Sequence, residues 1–305
     1  MEAVSCALCG ANDAEMVLER ADRFSGTRFQ MQRCRRCGLH YVNPRPDGDE
    51  IGAYYPATYE PYRATGGSGP LATWRERQGQ SIKRRFVEAR AQAGRLLDVG
   101  CATGDFLAHL ASHGWEVQGV ETSPHAAQLA RERHGIPVHT GRLAEANLPP
   151  ASVDVVTLWD VIEHLHDPPA ELGRIETLLV PGGLLVLTVP NLESWDRRLF
   201  GPHWIGWDLP RHLYAFPPLA LTRMVREAGF EIIDRRCILG GVGAFLLSYQ
   251  DWVNSLNHPF CQRLLKLMAP LLPWLLWPYK ELAYRRGRGP VETIACVKRS
   301  SATGR

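Results

Sequence analysis

Leu96-Leu97-Asp98-Val99-Gly100-Cys101-Ala102-Thr103-Gly104-Asp105-Phe106-Leu107 reads as a short apolar strand that runs into a glycine-bearing loop and then into the start of a helix. Glycines at 100 and 104 let the backbone turn tightly and pass close to a ligand, while the first turn of the following helix offers unpaired N–H groups. The stretch is a small-molecule cradle. Its Gly-x-x-x-Gly spacing, with an aspartate two residues before the first glycine, does not fit the Gly-x-Gly-x-x-Gly fingerprint of dinucleotide sites.

Working outward, strand and helix patterns alternate. Residues 71–93 read as a helix with Leu71, Trp74, Ile82, Phe86 and Ala89 near helical spacing. After the loop, 106–113 is expected as a helix ended by Gly114, and 116–121 as a strand that ends in an acid, Glu121. A carboxylate at the tip of a strand beside the glycine loop can accept hydrogen bonds from both hydroxyls of a ribose. A helix over 124–134, a short strand near 136–139, a buried strand over 152–159, and a Pro181-Gly182-Gly183 turn into a strand over 184–191 follow. The strand over 152–159 delivers Asp160-Val161-Ile162-Glu163-His164 to the carboxyl edge of the sheet, where ligands bind in open α/β folds. Helix 218–228 and strands over 231–236 and 292–298 close the pattern, with a Leu-, Trp- and Pro-rich insertion over 239–289 between the last two.

At these residues the chain resembles the class I S-adenosylmethionine-dependent methyltransferases, whose first strand and loop read Asp-x-Gly-x-Gly-x-Gly or a close variant. The resemblance covers about residues 90–298, with Ala102 standing where many members carry the middle glycine. It implies an α/β fold with a doubly wound, mostly parallel seven-stranded Rossmann-like sheet, its last two strands antiparallel at the edge. It also implies S-adenosylmethionine as cofactor, held by Asp98, Gly100, Cys101, Ala102, Gly104, Phe106, Glu121, Thr122, Leu143, Trp159 and Asp160. The acid that members often place after the third strand, against the adenine amino group, is replaced here by Arg142.

The 305 residues have room for one α/β domain and additions, and a formal charge of +3 is too small to imply a nucleic-acid partner. Cys6-Ala7-Leu8-Cys9-Gly10 and Cys34-Arg35-Arg36-Cys37-Gly38 are two Cys-x-x-Cys knuckles, each closed by glycine. Four thiolates satisfy tetrahedral zinc and leave no open position, so Cys6, Cys9, Cys34 and Cys37 read as a structural Zn²⁺ site. Residues 1–50 carry seven arginines, no lysine and eight acids, so this ribbon-like unit lacks the positive field that nucleic-acid binding needs. The expected organisation is a zinc-ribbon-like unit with a tyrosine-rich segment over 1–63, a Gly/Ser linker over 64–70, and a methyltransferase domain over 71–305. Clustered Tyr54, Tyr55, Tyr59 and Tyr62 suit either ligand contact or packing.

Similar proteins with an amino-terminal four-cysteine unit include methyltransferases of sugars and secondary metabolites, which implies a small-molecule acceptor methylated on oxygen or carbon. Alternatives are an RNA methyltransferase guided by the ribbon and a non-catalytic adapter that keeps the cofactor fold. A hydroxyl or acidic-carbon acceptor needs a base, for which His164 and His212 are candidates, with Asp160 and Tyr55 beside them. Asp160, Glu163 and His164, spaced i, i+3 and i+4, would share one face of a helical turn, and His212 could add a fourth ligand for Mg²⁺ or Mn²⁺. That set resembles the Glu-x-x-Glu-His plus distant His of the metal-dependent O-methyltransferases of ubiquinone synthesis and small-RNA 3′ ends. The start of the chain shows no secretory signal, so a cytoplasmic protein with reduced thiols is expected. No apolar run is long enough to span a bilayer. The insertion suits a lid, a homodimer surface or, through 264–288 with Arg285-Arg286-Gly287-Arg288, a peripheral membrane contact.

Overall fold

The computed structural model of the chain describes residues 1–55, 70–256, 258–268 and 271–299. The linker expected over 64–70 lies outside them except for Pro70, and so do Tyr59 and Tyr62. In chain order the elements begin with β1 (Ala14–Ala21), β2 (Arg28–Cys34), β3 (His40–Val42) and α1 (Pro70–Glu88). Then come β4 (Arg95–Val99), α2 (Asp105–Ala111), β5 (Glu116–Glu121), α3 (Pro124–His134), β6 (Val138–Thr140), β7 (Val153–Leu158), α4 (Pro168–Leu178) and β8 (Leu179–Pro190). The remainder is α5 (Trp195–Phe200), β9 (Tyr214–Ala215), α6 (Pro218–Glu227), β10 (Phe230–Arg236), α7 (Gly241–Ser255), α8 (Pro259–Met268), α9 (Leu272–Leu275), α10 (Trp277–Arg285) and β11 (Val291–Lys298).

Two compact units emerge. One takes Tyr55–Thr188, Thr222–Asp234 and the chain from Ile294; the other takes Met1–Tyr54, Val189–Leu221 and Arg235–Thr293. The first is built on the seven-stranded sheet, ordered β10-β11-β8-β7-β4-β5-β6. Outward from β4 the pairings β4·β5, β4·β7, β5·β6 and β7·β8 are all parallel, as the doubly wound fold requires. Leu96, Leu97, Val155, Val156, Leu185 and Leu187 are buried, the near-continuous apolar reading of strands covered on both faces. Helix starts follow local chemistry: Ser123 accepts the Ala126 N–H and Asp167 the Ala170 N–H, each with a proline next.

Two boundaries differ from expectation for physical reasons. Helix α1 stops at Glu88 rather than near 93, and the chain straightens into β4 at Arg95, whose N–H donates to the Asp154 carboxylate at 2.8 Å. A Cβ at Gly94 would lie 2.7 Å from that carboxylate. Strand β8 begins at Leu179, before the Pro-Gly-Gly turn. Its register against β7 shifts between Val153 and Val155, absorbing the extra residues where Gly182 takes φ +74.

The other unit carries a four-stranded sheet, β1-β2-β3-β9, antiparallel throughout. Its core draws Phe29, Met31 and Val42 from the amino-terminal strands, Phe200, Trp204, Trp207 and Leu209 from the chain after β8, and Phe245, Tyr249 and Val253 from α7. Trp204 and Trp207 meet edge to face at 5.3 Å, and Tyr54 packs the same way on Phe29. These aromatics are packing residues. The insertion is helical, and Arg20 on β1 reaches Asp251 on α7 at 2.8 Å.

Candidate functional site

The loop after β4 is shaped by three left-handed residues. Gly100 lies at φ +73, and a Cβ there would come 2.6 Å from a methyl of Val161; Gly104 lies at φ +78, where a Cβ would meet that of Ala130 at 2.8 Å. Between them Ala102 also takes a positive φ, +48, with its methyl group kept. Glu121, at the end of β5, is 5% exposed and accepts the Ala102 N–H at 2.9 Å and the Ser123 N–H at 2.8 Å. The carboxyl therefore ties the loop to the start of α3. Burial raises its pKa, and these backbone donors act against the rise.

Asp98, inside β4, is buried and accepts a hydrogen bond from Thr157 Oγ1 at 2.6 Å. Burial pushes its carboxyl up to about 7, although that hydrogen bond and Lys83 oppose it. Cys101 is buried against Gly119, whose Cβ would lie 2.4 Å from the sulfur, so a glycine on β5 admits the thiol. Phe106 is buried edge-on to Trp159 at 5.3 Å, Leu143 is buried in the turn after β6, and Thr122 follows Glu121. Among the described residues the buried indole N–H of Trp159 has no partner.

At the end of β7, Asp160 takes φ +58 and is locked to β8: its N–H donates to Thr188 Oγ1 at 2.7 Å, and Thr188 returns a hydrogen bond to its carboxylate at 2.9 Å. The expected helical face over Asp160, Glu163 and His164 is therefore absent, because only 162–164 form a short 3-10 turn and Asp160 precedes it in the left-handed region. Glu163 and His164 do present ligand atoms within 4.8 Å of each other. Glu163 is wholly buried, and neither carboxyl oxygen has a hydrogen-bond partner among the described residues. Burial, reinforced by the Asp160 charge, holds its pKa well above the usual carboxyl range. His164 Nδ1 lies 3.0 Å from the Tyr55 hydroxyl. His212 belongs to the other unit, where its Nδ1 lies 2.9 Å from the Gly206 carbonyl. A carbonyl only accepts, so Nδ1 carries a proton there.

The four amino-terminal cysteines come together. Their sulfurs lie within 4.8 Å of one another, with Cys6 and Cys37 at 3.3 Å and Cys9 and Cys34 at 3.5 Å. Gly10 and Gly38 take φ +69 and +79 and donate back to Cys6 and Cys34 at 2.8 and 2.9 Å, so the knuckles are two copies of one turn. The arrangement is compatible with a zinc unit.

Three residues escaped the sequence reading. Lys83 on α1 places its ammonium 4.9 Å from the Trp159 ring and 5.6 Å from the Phe106 ring, near enough to Asp160 and Asp98 to feel their charge. Burial lowers its pKa, and those carboxylates oppose the shift. Thr157 and Thr188 anchor the two aspartates. The one available signal was that Lys83 is one of only four lysines, at 83, 266, 280 and 298.

Residues 71–235 match a family described as Methyltransferase domain. A ubiquinone biosynthesis O-methyltransferase of Cereibacter sphaeroides is 30% identical over 178 residues, covering 55% of this chain and 72% of its own. Among solved structures, the [4+2]-cyclase SpnF aligns at TM-score 0.53 and 19% identity, over 84% of this chain and 98% of its own. A Haemonchus contortus phosphoethanolamine N-methyltransferase 2, solved with S-adenosyl-L-methionine, aligns at TM-score 0.50 and 21% identity, over 83% of this chain and 57% of its own. At such identities the structures establish the fold alone, and a cyclase among them shows that the fold does not decide the chemistry. The family match over more than half of the sequence does: this chain belongs to the S-adenosylmethionine-dependent methyltransferases.

Proposed function

We propose that the protein is a cytoplasmic enzyme that transfers the methyl group of S-adenosylmethionine to a hydroxyl of a small-molecule acceptor, with zinc bracing its four cysteines. The observation that carries the reading is the pairing of the Gly100–Gly104 loop with Glu121, whose carboxyl meets the loop backbone. The residues fit the cofactor. Each carboxylate oxygen can accept more than one hydrogen bond, so Glu121 can hold ribose hydroxyls while keeping Ala102 and Ser123. Cys101, Phe106, Thr122, Leu143 and Trp159 would wall the site, and Asp98 would fix the loop from below. When bound, the sulfonium supplies an electrophilic methyl carbon. What the chain must then provide is alignment, and an ordered near-attack geometry is worth up to about 7–11 kcal/mol.

The names of the 30%-identical relatives support oxygen as the accepting atom. For a hydroxyl acceptor, we assign His164 as the base, oriented by Tyr55, with His212 as the second candidate. With the cofactor in place, His164 would take the proton of the acceptor hydroxyl as its oxygen displaced the sulfur from the methyl carbon, the carbon–sulfur bonding pair leaving with the sulfur. Removing such a base costs about 10²–10⁴ in rate. His164→Ala should lower kcat to that extent with cofactor affinity unchanged.

Glu163 favours a second reading of the same step. A buried carboxyl whose oxygens have no partner suits a cation, and with His164 it would hold Mg²⁺ or Mn²⁺. Such an ion would lower the pKa of an acceptor hydroxyl.

The deciding experiment titrates S-adenosylmethionine calorimetrically, then traces a trideuteromethyl label into product by mass spectrometry. Saturable binding and a labelled methyl ether are expected. Absent binding sinks the cofactor site, and label on nitrogen or carbon sinks the acceptor assignment. Activity lost in chelator and restored by Mn²⁺ would select the metal-assisted route, whereas full activity in chelator leaves the histidine alone.

A further inference from the structure

Helices α8–α10 carry more apolar surface than their packing uses. Leu265, Leu272, Leu276 and Tyr279 pack against the core of their unit. Yet Phe260, Leu267, Leu275 and Trp277 are 64–76% exposed, and Met268, Leu271 and Leu282 are exposed with them. Seven of the fifteen exposed large apolar side chains among the described residues thus fall within 260–282. Single exposed apolar residues need no explanation, but a cluster does. On α8, Phe260 and Leu267 stand seven residues apart, two turns along one face, and Leu265 lies off that face.

The charge around this surface is one-sided. Residues 252–291 hold Arg263, Lys266, Lys280, Arg285, Arg286 and Arg288 against a single acid, Glu281, so six positive minus one negative gives +5. Arg285 pairs with Glu281 at 3.0 Å, and Arg288 pairs with Glu193. Arg263 and Arg286 are exposed, and neither forms an ion pair among the described residues.

We propose that this face docks on an anionic bilayer surface, lying in the interface. Leu and Phe side chains would enter the upper acyl region, Trp277 would sit at headgroup level, and Arg263 and Arg286 would meet lipid phosphates. Charge decides between this and a second copy of the chain. A two-fold contact through the patch sets two +5 segments against each other, whereas anionic headgroups complement both the charge and the apolar side chains. Among the described residues no helix is long and apolar enough to cross a membrane, which fits attachment from one side. The proposal does not depend on which acceptor the enzyme methylates.

The test floats the full chain with vesicles of phosphatidylcholine alone or with roughly one part in three phosphatidylglycerol, at roughly 0.1 M and 0.5 M salt. At least about 10-fold more protein should float with the anionic vesicles, and most of that should be lost at high salt. Arg263→Gln combined with Arg286→Gln should weaken binding on the order of 20-fold. Leu267→Ser, Leu275→Ser and Trp277→Ser together should abolish it. Calorimetric titration of S-adenosylmethionine into each variant checks that it remains folded. Equal flotation on both vesicle types, no flotation, or flotation unchanged in the triple serine variant overturns the proposal. So does a parent dimer in sedimentation that the serine substitutions convert to monomer, since that gives the face to a second copy.

Discussion

Ala102 holds a backbone conformation that its side chain opposes. At φ +48 an L-residue costs about 1–2 kcal/mol, and a glycine there returns about 0.4–1 kcal/mol through its freer unfolded chain. Ala102→Gly should therefore raise stability by about 0.5–1 kcal/mol, read as a higher urea midpoint at unchanged slope; a lower midpoint would mean that the methyl group packs usefully. Glu121 gives a functional counterpart. Its removal takes charge-assisted bonds worth about 1.5–3 kcal/mol each, so Glu121→Ala should weaken cofactor binding by at least 10-fold, with calorimetry as the readout. Asp98 predicts a pH dependence. Its folded pKa, about 7, lies above the ordinary carboxyl value, so its contribution is full below about pH 4 and is lost as pH rises to about 7. The loss is at most about 4 kcal/mol, and Glu163, also raised, acts in the same direction. Asp98→Asn should flatten the fall in Tm between roughly pH 5 and 8, and an unchanged profile would place the titration elsewhere.

At the scale of elements, a buried guanidinium anchors the segment between α5 and β9. Arg211, wholly buried, forks onto Asp208 at 2.9 and 2.7 Å and donates to Asp22 at 2.7 Å and to the Tyr54 carbonyl at 2.9 Å. It thereby joins the β1–β2 turn to the chain entering β9. Burial alone would raise the Asp208 pKa, but the Arg211 hydrogen bonds overcome it and bring the carboxyl down to about 2. A depressed carboxyl stabilises above about pH 4, and that share is lost as pH falls towards 2. Arg211→Leu strands two buried carboxylates and should cost about 3–5 kcal/mol, seen as a large drop in Tm. Arg211→Lys should recover only part, because an ammonium lacks the fork. In the sequence, Pro210-Arg211-His212 drew notice only for its histidine. The arginine's partner Asp22 lies 189 residues away, and no local pattern announces such a pairing.

For the whole molecule, the amino-terminal segment is part of a shared core. Phe29, Met31 and Val42 pack with Trp204, Trp207, Phe245 and Tyr249, so deletion of residues 1–50 should expose that cluster and leave the protein aggregated. Recovery of soluble, cofactor-binding protein would show the core to be self-sufficient without those strands. The proposed zinc site belongs to the same unit. Purified protein should carry about one zinc per chain, and Cys6→Ser or Cys34→Ser should release it and lower Tm, because the metal's binding energy becomes folding energy. Retained stoichiometric zinc in either variant would refute the four-thiolate site.

Sequence alone determined the features that rest on short-range patterns. The glycine loop, the apolar strands, the acid at the end of β5 and the paired Cys-x-x-Cys knuckles are each set by neighbours within a few residues, and together they specified the doubly wound sheet and the family. Tertiary structure decided what depends on distant partners. Thr188 holds Asp160 in a left-handed conformation outside the 162–164 turn, which removes the regular helical face that the i, i+3, i+4 spacing suggested. Lys83 reaches the rings of Phe106 and Trp159 only because α1 packs against α2, which carries Phe106, and Trp159 follows β7 beside them. Periodicity reports which face of an element is buried. It does not report which charge from elsewhere in the chain that face will meet, and here burial and long-range pairing gave Glu163, Asp98 and Arg211 their chemical character.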